Sequence, residues 1–409
     1  MSVEDEVQVA PHVPAIRAVP RSVVVLGLVS LFMDTSSEII HSLLPVFLVT
    51  VLGAGALSVG VIEGVAEAAT PVTKLFSRAI SDWIGKRKPL VLLGYGLAAL
   101  IKPLFPLASG IGAVLVARFV DRIAKGIRGA PRDALIGDVT PIELRGTAFG
   151  LRQAMDTVGG FVGPLLAMLL MAISSDNFRL VFWTAVVPAV VSVLLIVYAV
   201  EEPETRRAPG RPPFPIQRSE LGRLKHAYWW FVGIATILAL GRFSEAFLLL
   251  AAQHVGLAVT LVPGVLIAMN IVYAVSAYPF GRLSDAVSRR MLLAAGAIFL
   301  IAADVVLATA ATPWQVFTGV ALWGLHMGAT QGLLSTLVVD AAPADLRGTA
   351  LGMYNLVTGA ALLVASVLAG WLWTAFGPAA TFIAGGIFAG IALSGMLSWQ
   401  TENPFEDRR

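Results

Sequence analysis

Apolar runs long enough to cross a bilayer recur along almost the whole of this sequence, and they leave few ways for it to fold. A helix needs about 20 residues to span the hydrocarbon. Runs of that order fall near residues 21–52, 57–81, 89–108, 112–138, 146–172, 179–200, 226–252, 260–282, 291–311, 314–339, 348–375 and 378–399. The bilayer offers no water to backbone amides, so each run is expected to be an α-helix. The expectation is an all-α membrane protein with twelve transmembrane helices. Composition agrees: 57% of the residues are hydrophobic and 13% are charged, about half the charged share of a soluble domain. There is no cysteine, which excludes disulfides, thiolate metal sites and cysteine nucleophiles. The first twenty residues are polar and proline-dotted, without the basic-then-apolar layout of a cleaved signal peptide.

The loops between the runs alternate in charge. One set holds Lys86, Arg87, Lys88, Arg145, Arg206, Arg207, Arg211, Arg218, Arg223, Lys225, Arg289, Arg290 and Arg347; the other holds almost nothing basic beyond Arg179. Basic loops stay in the cytoplasm, so both termini are expected there. The longest polar interruption, Glu201 to Lys225, is rich in proline and arginine and cannot span. The expected organisation is a cytoplasmic tail 1–20, a six-helix bundle 21–200, a cytoplasmic linker 201–225, a second bundle 226–400 and a tail 401–409. The bundles repeat each other. The segment from Gly137, GDVTPIELRGTAFG, matches the segment from Val339, VDAAPADLRGTALG, at an offset of 202 residues, and Asp82 and Asp285 fall at nearly the same offset. Duplicated halves around a midplane site are the design of rocking secondary transporters.

The most unusual span runs through Arg118 to Asp133, RFVDRIAKGIRGAPRD. At 100° per residue, Arg118, Asp121, Arg122, Lys125, Arg128, Arg132 and Asp133 fall within an arc of about 140°. Five cations against two anions leave that face positive. Ionised groups in a bilayer must face protein or water, so the face is expected to line a positive polar cavity. An amphipathic helix on the lipid surface fits poorly, because apolar runs continue on both sides.

Three motifs resemble the major facilitator superfamily over nearly all of the chain, from about Arg21 to Trp399. The first is Arg78-x-x-x-Asp82-x-x-Gly85-Lys86-Arg87, repeated as Gly281-x-x-x-Asp285-x-x-Ser288-Arg289-Arg290. Arg78 and Ser288 depart from the family's glycines. The second is Arg122-x-x-Lys125-Gly126 in the fourth span, with lysine where the family more often has glutamine. The third, Gly159-x-x-x-Gly163-Pro164 in the fifth span, is similar to the family's antiporter signature. The resemblance implies two pseudo-symmetric six-helix bundles, alternating access and, from the third motif, an exporter of the drug or metabolite branch. Asp82 is expected beside the start of the eleventh span near Arg347-Gly348, where a carboxylate can accept from Arg347 and from free helix amides. By symmetry Asp285 should face Arg145. With Gly85, these residues form the expected gate.

Charges on the other spans supply the remaining candidates. Asp34, Glu38 and His41 lie within about 60° of one another on the first span, and Glu63, Glu67, Lys74 and Arg78 do the same on the second. Lys102 sits in the third span, and Arg152 and Asp156 are spaced for an ion pair in the fifth. The second half offers Arg242, Glu245, His254, Asp304 and His326, with Asn270, Tyr273, Gln331, Tyr354 and Asn355 as uncharged polar groups. Burial favours a protonated carboxylate and a nearby arginine opposes it, so Asp34, Glu38, Asp121 and Arg122 are the expected proton-coupling set. The expected substrate surface comprises His41, Glu63, Lys102, Arg118, Arg122, Lys125, Arg128, Arg152, Asp156, Arg242, Glu245, Asn270, Tyr273, His326 and Gln331. For any one of these, a structural ion pair is the competing reading.

Enzyme motifs are absent: no HExxH, GxSxG or GxxxxGK[ST] occurs. Gly94-Tyr95-Gly96 lies inside an apolar span and reads as helix packing. The expectation is a monomeric, proton-driven inner-membrane exporter without a cofactor and without nucleic-acid partners. Its cargo would be a small anionic or zwitterionic organic solute, and its remaining partner the bilayer. Proton-coupled uptake of an organic anion or metal chelate is the alternative. Asp34, Glu38 and His41 also present O, O and N donors at i, i+4 and i+7, the pattern of a divalent-metal exporter, which the positive fourth span argues against.

Overall fold

The computed structural model describes residues 19–202 and 218–398, with the side chains of residues 218, 219 and 285 left aside. Among the described residues it is helical with no strand, and twelve membrane-crossing units follow one another. The first half comprises α1 (Arg21–His41, continued by Leu44–Thr50), α2 (Ala56–Ile84), α3 (Lys88–Ile101, continued by Leu104–Leu107), α4 (Ile111–Val139), α5 (Arg145–Ile173) and α6 (Phe178–Thr184, continued by Val186–Ala199). The second half comprises α7 (His226–Leu240, continued by Ala246–His254), α8 (Gly264–Ala286), α9 (Arg289–Ala308), α10 (Pro313–Ala341), α11 (Arg347–Phe376) and α12 (Pro378–Ser398). Eight units are long and apolar enough to count as spans by composition alone. Of the others, α2 and α4 carry their charged faces, α7 is interrupted, and α10 is diluted by Gln315, His326, Gln331 and Asp340.

Four units break where continuous runs were expected, and the causes are local. Proline cannot donate to the residue four before it and crowds that carbonyl. Pro45 therefore separates the two parts of α1, Pro103 those of α3, and Pro188 follows the joint of α6 at Ala185. The break in α7, Gly241 to Glu245, contains no proline. There Gly241 packs against Gly385 of α12, where a Cβ would lie 2.9 Å from the Gly385 carbonyl oxygen. Non-helical backbone at membrane depth is tolerated where protein or a water-filled crevice surrounds it.

The duplication is visible in the backbone. Pro141 and Pro343 adopt nearly the same angles, φ −53° with ψ 148° and 147°, and each leads through a short 3-10 turn into α5 and α11. Arg87 Nε lies 3.4 Å from Asp138, and the repeat-related Arg289 pairs with Asp340. These twin clasps tie the start of α3 to the end of α4 and the start of α9 to the end of α10. At the end of α2, Gly85 takes φ +71°, a left-handed turn that only glycine adopts freely, and its N–H reaches Ser81.

The halves meet closely at the end away from the basic loops. Gly60 of α2 presses on the Ser366 carbonyl of α11, a Cβ on Gly64 would lie 3.0 Å from the Leu363 carbonyl, and one on Gly370 would lie 2.6 Å from the Ala56 carbonyl. Leu57 N–H donates to Thr374 Oγ1 at 3.3 Å, and Thr260 donates to Asp176 at 2.6 Å across the same end. In this state that end is shut.

Candidate functional site

The charged face of α4 packs inward against α1, α2, α3 and α5, and small residues let it approach. A Cβ on Gly126 would come 2.8 Å from the Thr70 carbonyl of α2, and one on Gly94 would come 2.7 Å from Arg128 Cβ. Gly94 of the Gly94-Tyr95-Gly96 segment is thus a packing glycine, as the sequence suggested, while a Cβ on Gly96 would meet nothing within 4 Å. Gly159 and Gly163 do the same for α5 on α1: their Cβ atoms would lie 3.1 Å from Asp34 Cβ and 2.6 Å from Glu38 Cβ. The glycine-proline motif therefore seats α5 directly behind the carboxylates of α1.

Most of the expected positive face is paired off within the first half. Arg118 grips Glu63 with two bonds, Nε to Oε1 at 3.1 Å and an outer nitrogen to Oε2 at 2.7 Å, both side chains at most 2% exposed. Such bidentate pairs are the strongest charge-assisted bonds. Lys102 donates to Asp121 at 3.0 Å and to Ser37 at 3.0 Å. Arg122 reaches Glu67 at 2.7 Å, with Arg118 3.9 Å from the same oxygen. His41 Nδ1 lies 3.3 Å from Glu38 and its Nε2 3.8 Å from Glu63. The spacing of Arg152 and Asp156 is realised as an ion pair, and Arg152 also lies 3.5 Å from Asp133. Arg132 donates to Ser30 at 2.7 Å and to Asp133.

Two groups the sequence did not single out complete the network. Tyr95 lies beneath the Arg128 guanidinium, 4.9 Å from its carbon to the ring centre, and Ser30 shares a hydrogen bond with the Tyr95 hydroxyl at 3.2 Å. Tyr95 could have been found from its place on the α3 face opposite Arg128, had the neighbour of α3 been known.

A few charges remain unpaired. Among the described residues Asp34 and Lys125 make no hydrogen bond or ion pair, and Lys125 is exposed. Both belong to the same electrostatic neighbourhood, which also contains Arg128, Arg132 and Asp156. In the second half, Arg242 and Glu245 stand in the break of α7, likewise without an ion pair. Glu245 lies in electrostatic range of His41, Glu38 and Glu67, and Arg242 in range of Tyr273 and Tyr354. The arrangement brings Glu38 and His41 of α1 and Glu67 of α2 into electrostatic range of Glu245 in the break of α7.

Other candidates lie elsewhere. His326 is fully buried on α10, with Nδ1 2.7 Å from the Gly296 carbonyl of α9, and lies in electrostatic range of Arg242. Asn270, Tyr273 and Gln331 are half-buried on α8 and α10. No hydrogen bond or ion pair joins Asp82 to α11 among the described residues in this state. It binds Arg87 at 2.7 Å, while Arg145 donates to the Gly137 carbonyl at 3.1 Å. With the halves joined at the opposite end, the gate contact expected for Asp82 and Arg347 is not made, and the side chain of Asp285 lies outside the described residues. Asp34, Glu38 and His41 do not converge: among the described residues no three His, Asp or Glu side chains form a group fit to hold a metal ion.

The sequence profile of the Major Facilitator Superfamily matches residues 26–266 and 230–409. An uncharacterised MFS-type transporter of Methanocaldococcus jannaschii is 32% identical over 93% of this chain and 95% of its own. The inner membrane transport protein YajR of Escherichia coli is 24% identical over 86% of this chain and 77% of its own. Among solved structures, a bacterial homologue of the human lysosomal transporter Spinster, in an inward-facing conformation, superimposes with a TM-score of 0.75 at 16% identity, covering 94% of this chain and 96% of that one. The nucleoside transporter NupG gives a TM-score of 0.73 at 13% identity, covering 92% and 98%. At such identities these two likenesses concern the fold alone.

Proposed function

The chain belongs to the Major Facilitator Superfamily, and on that premise we propose that it is a proton-coupled exporter of a small anionic or zwitterionic organic solute. It works by alternating access as a monomer in the inner membrane, with both termini in the cytoplasm and no cofactor. One observation carries this reading. Asp34 and Lys125 share one electrostatic neighbourhood without an ion pair, while Glu63, Glu67 and Asp121 nearby are each paired with a cation, and Glu245 in the break of α7 stands in electrostatic range of Glu38 and His41 of α1. Unpaired charges at membrane depth are costly and mark ion or substrate pathways. Lys125 and Arg122 are suited to hold an anionic group of the cargo, and Asp34, with Glu38 below it, to carry the proton. Export is favoured by the glycine-proline motif of α5, which resembles the antiporter signature and seats α5 on the carboxylates of α1.

Proteoliposomes with a pH dye inside and an imposed gradient test this. Candidate organic anions should elicit proton flux in the wild type. Asp34→Asn or Glu38→Gln should abolish the response to the gradient while binding persists. Lys125→Ala should weaken binding, and Lys125→Arg should partly restore it. Wild-type transport indifferent to the gradient would sink the proposal.

A further inference from the structure

Asp304 plays no part in the network described above. It lies on α9 in the second half, is 1% exposed, and neither carboxylate oxygen has a hydrogen-bond partner among the described residues. Its surroundings are apolar and close. One oxygen lies 2.8 Å from where a Cβ of Gly385 would sit, and its Cβ lies 3.6 Å from that of Gly386. Gly385 in turn is backed by Phe243, whose ring contacts Trp323 and Phe382 at 5.4 and 5.6 Å between centres.

The helices around Asp304 bring no counter-charge to it. The described part of α12 contains no ionisable residue. Those of α10 are His326, held by Gly296 two turns away along α9, and Asp340, clasped by Arg289 at the basic end. Those of α8 include Tyr273 and Arg282, neither bonded to Asp304. Arg242 and Glu245 of α7 lie close to Phe243 in sequence, but neither forms an ion pair with Asp304; their electrostatic neighbours are each other, Tyr273, Tyr354, His326 and the carboxylates and His41 of the first half. An ionised carboxylate without a partner is among the most expensive groups to bury, and a protein avoids that cost by neutralising it.

We propose that Asp304 is a second proton-binding site, loaded in the state seen here and unloaded through the break of α7. Phe243 is the only aromatic residue of the break, Gly241 to Glu245, and its ring packs on Gly385, the residue that also meets Asp304. When the break repacks, water reaches the carboxyl group, its O–H bond breaks, and the proton passes to that water, leaving a carboxylate. Reloading is the reverse. The role in transport rests on the reading of the chain as proton-coupled, whereas occupancy of the site can be tested without cargo.

Infrared difference spectroscopy of the purified full chain provides the test. Wild-type protein at neutral pH should show the C=O band of a protonated carboxyl group. Asp304→Asn should lack it, and Asp34→Asn should keep it. Asp304→Leu, which suits the apolar surroundings, guards against misfolding of the amide variant and should also lack the band. Identical spectra for wild type and both Asp304 variants would overturn the site. In proteoliposomes Asp304→Asn should lose gradient-driven flux, and flux with the wild-type dependence on the gradient would overturn its unloading. A wild type with the band but without gradient-driven flux would support the site while removing the transport reading of the preceding section.

Discussion

At the scale of single residues, pairing decides which charges hold the molecule together and which are free to act. Glu63 and Arg118 are both almost fully buried, so removing one leaves the other charged with only a longer contact, Arg118 to Glu67 at 3.9 Å or Glu63 to His41 at 3.8 Å. Glu63→Gln should destabilise the protein by roughly 3–5 kcal/mol, read as a lowered unfolding transition in detergent, and adding Arg118→Met should recover most of the loss. Lys125→Ala, at an exposed and unpaired position, should shift stability by less than about 0.5 kcal/mol. Equal losses in the two single variants would show that the pairing is not what stabilises this site. The charged face of α4 was legible in the sequence because a helical period places seven residues on one arc. Their partners were not, since Glu63, Lys102 and Tyr95 meet that face only once the order of helices around α4 is known. His326 illustrates the same limit, as a lone histidine on an apolar helix carries no signal for which side faces the crevice.

At the scale of elements, glycines decide how near the helices come. The contact of α2 with α11 depends on Gly60, Gly64 and Gly370, each of which meets backbone of the opposite half. A branched side chain at Gly60 cannot fit, because the Ser366 carbonyl occupies its space. Gly60→Val should therefore drive this end open. Spin labels on cysteines introduced at positions 57 and 374 of the cysteine-free chain would report a longer distance, and labels at 82 and 347 a shorter one. An unchanged distribution at both pairs would mean that α2 and α11 are not the moving contact. The existence of the helices and their duplication were readable from run length and from the repeated Pro-x-x-Leu-Arg-Gly-Thr-Ala segment. The breaks were harder to read. Pro45, Pro103 and Pro188 were visible, yet Pro71, Pro131, Pro164 and Pro279 lie inside helices that continue. Proline alone therefore does not say where a membrane helix parts.

At the scale of the whole molecule, the two halves share a backbone plan but not a charge plan. The first gathers many of its ionisable groups into buried or half-buried ion pairs, while the second leaves Asp304 without a partner and Arg242 and Glu245 without an ion pair among the described residues. Orientation follows from the loops: single cysteines at Gly55, Gly110 and His254 should react with an impermeant reagent added outside cells, and cysteines at Lys86, Arg207 and Arg289 should not. Labelling of position 207 from outside would reverse the assignment. The buried pairs of α4 also bear on how the chain is made. Emerging alone, α4 would bring five cations to the membrane, each costing about 2.5–3.5 kcal/mol at the bilayer centre. Its anchoring partners Glu63 and Glu67 on α2, and Lys102 on α3 for Asp121, lie earlier in the chain and leave the ribosome first. The order of synthesis thus places the partners of Arg118, Asp121 and Arg122 in the membrane before α4, while Arg132 and Asp133 meet Asp156 and Arg152 only when α5 follows, so α4 enters a partly prepared socket, and errors in α2 would surface as failed insertion of α4.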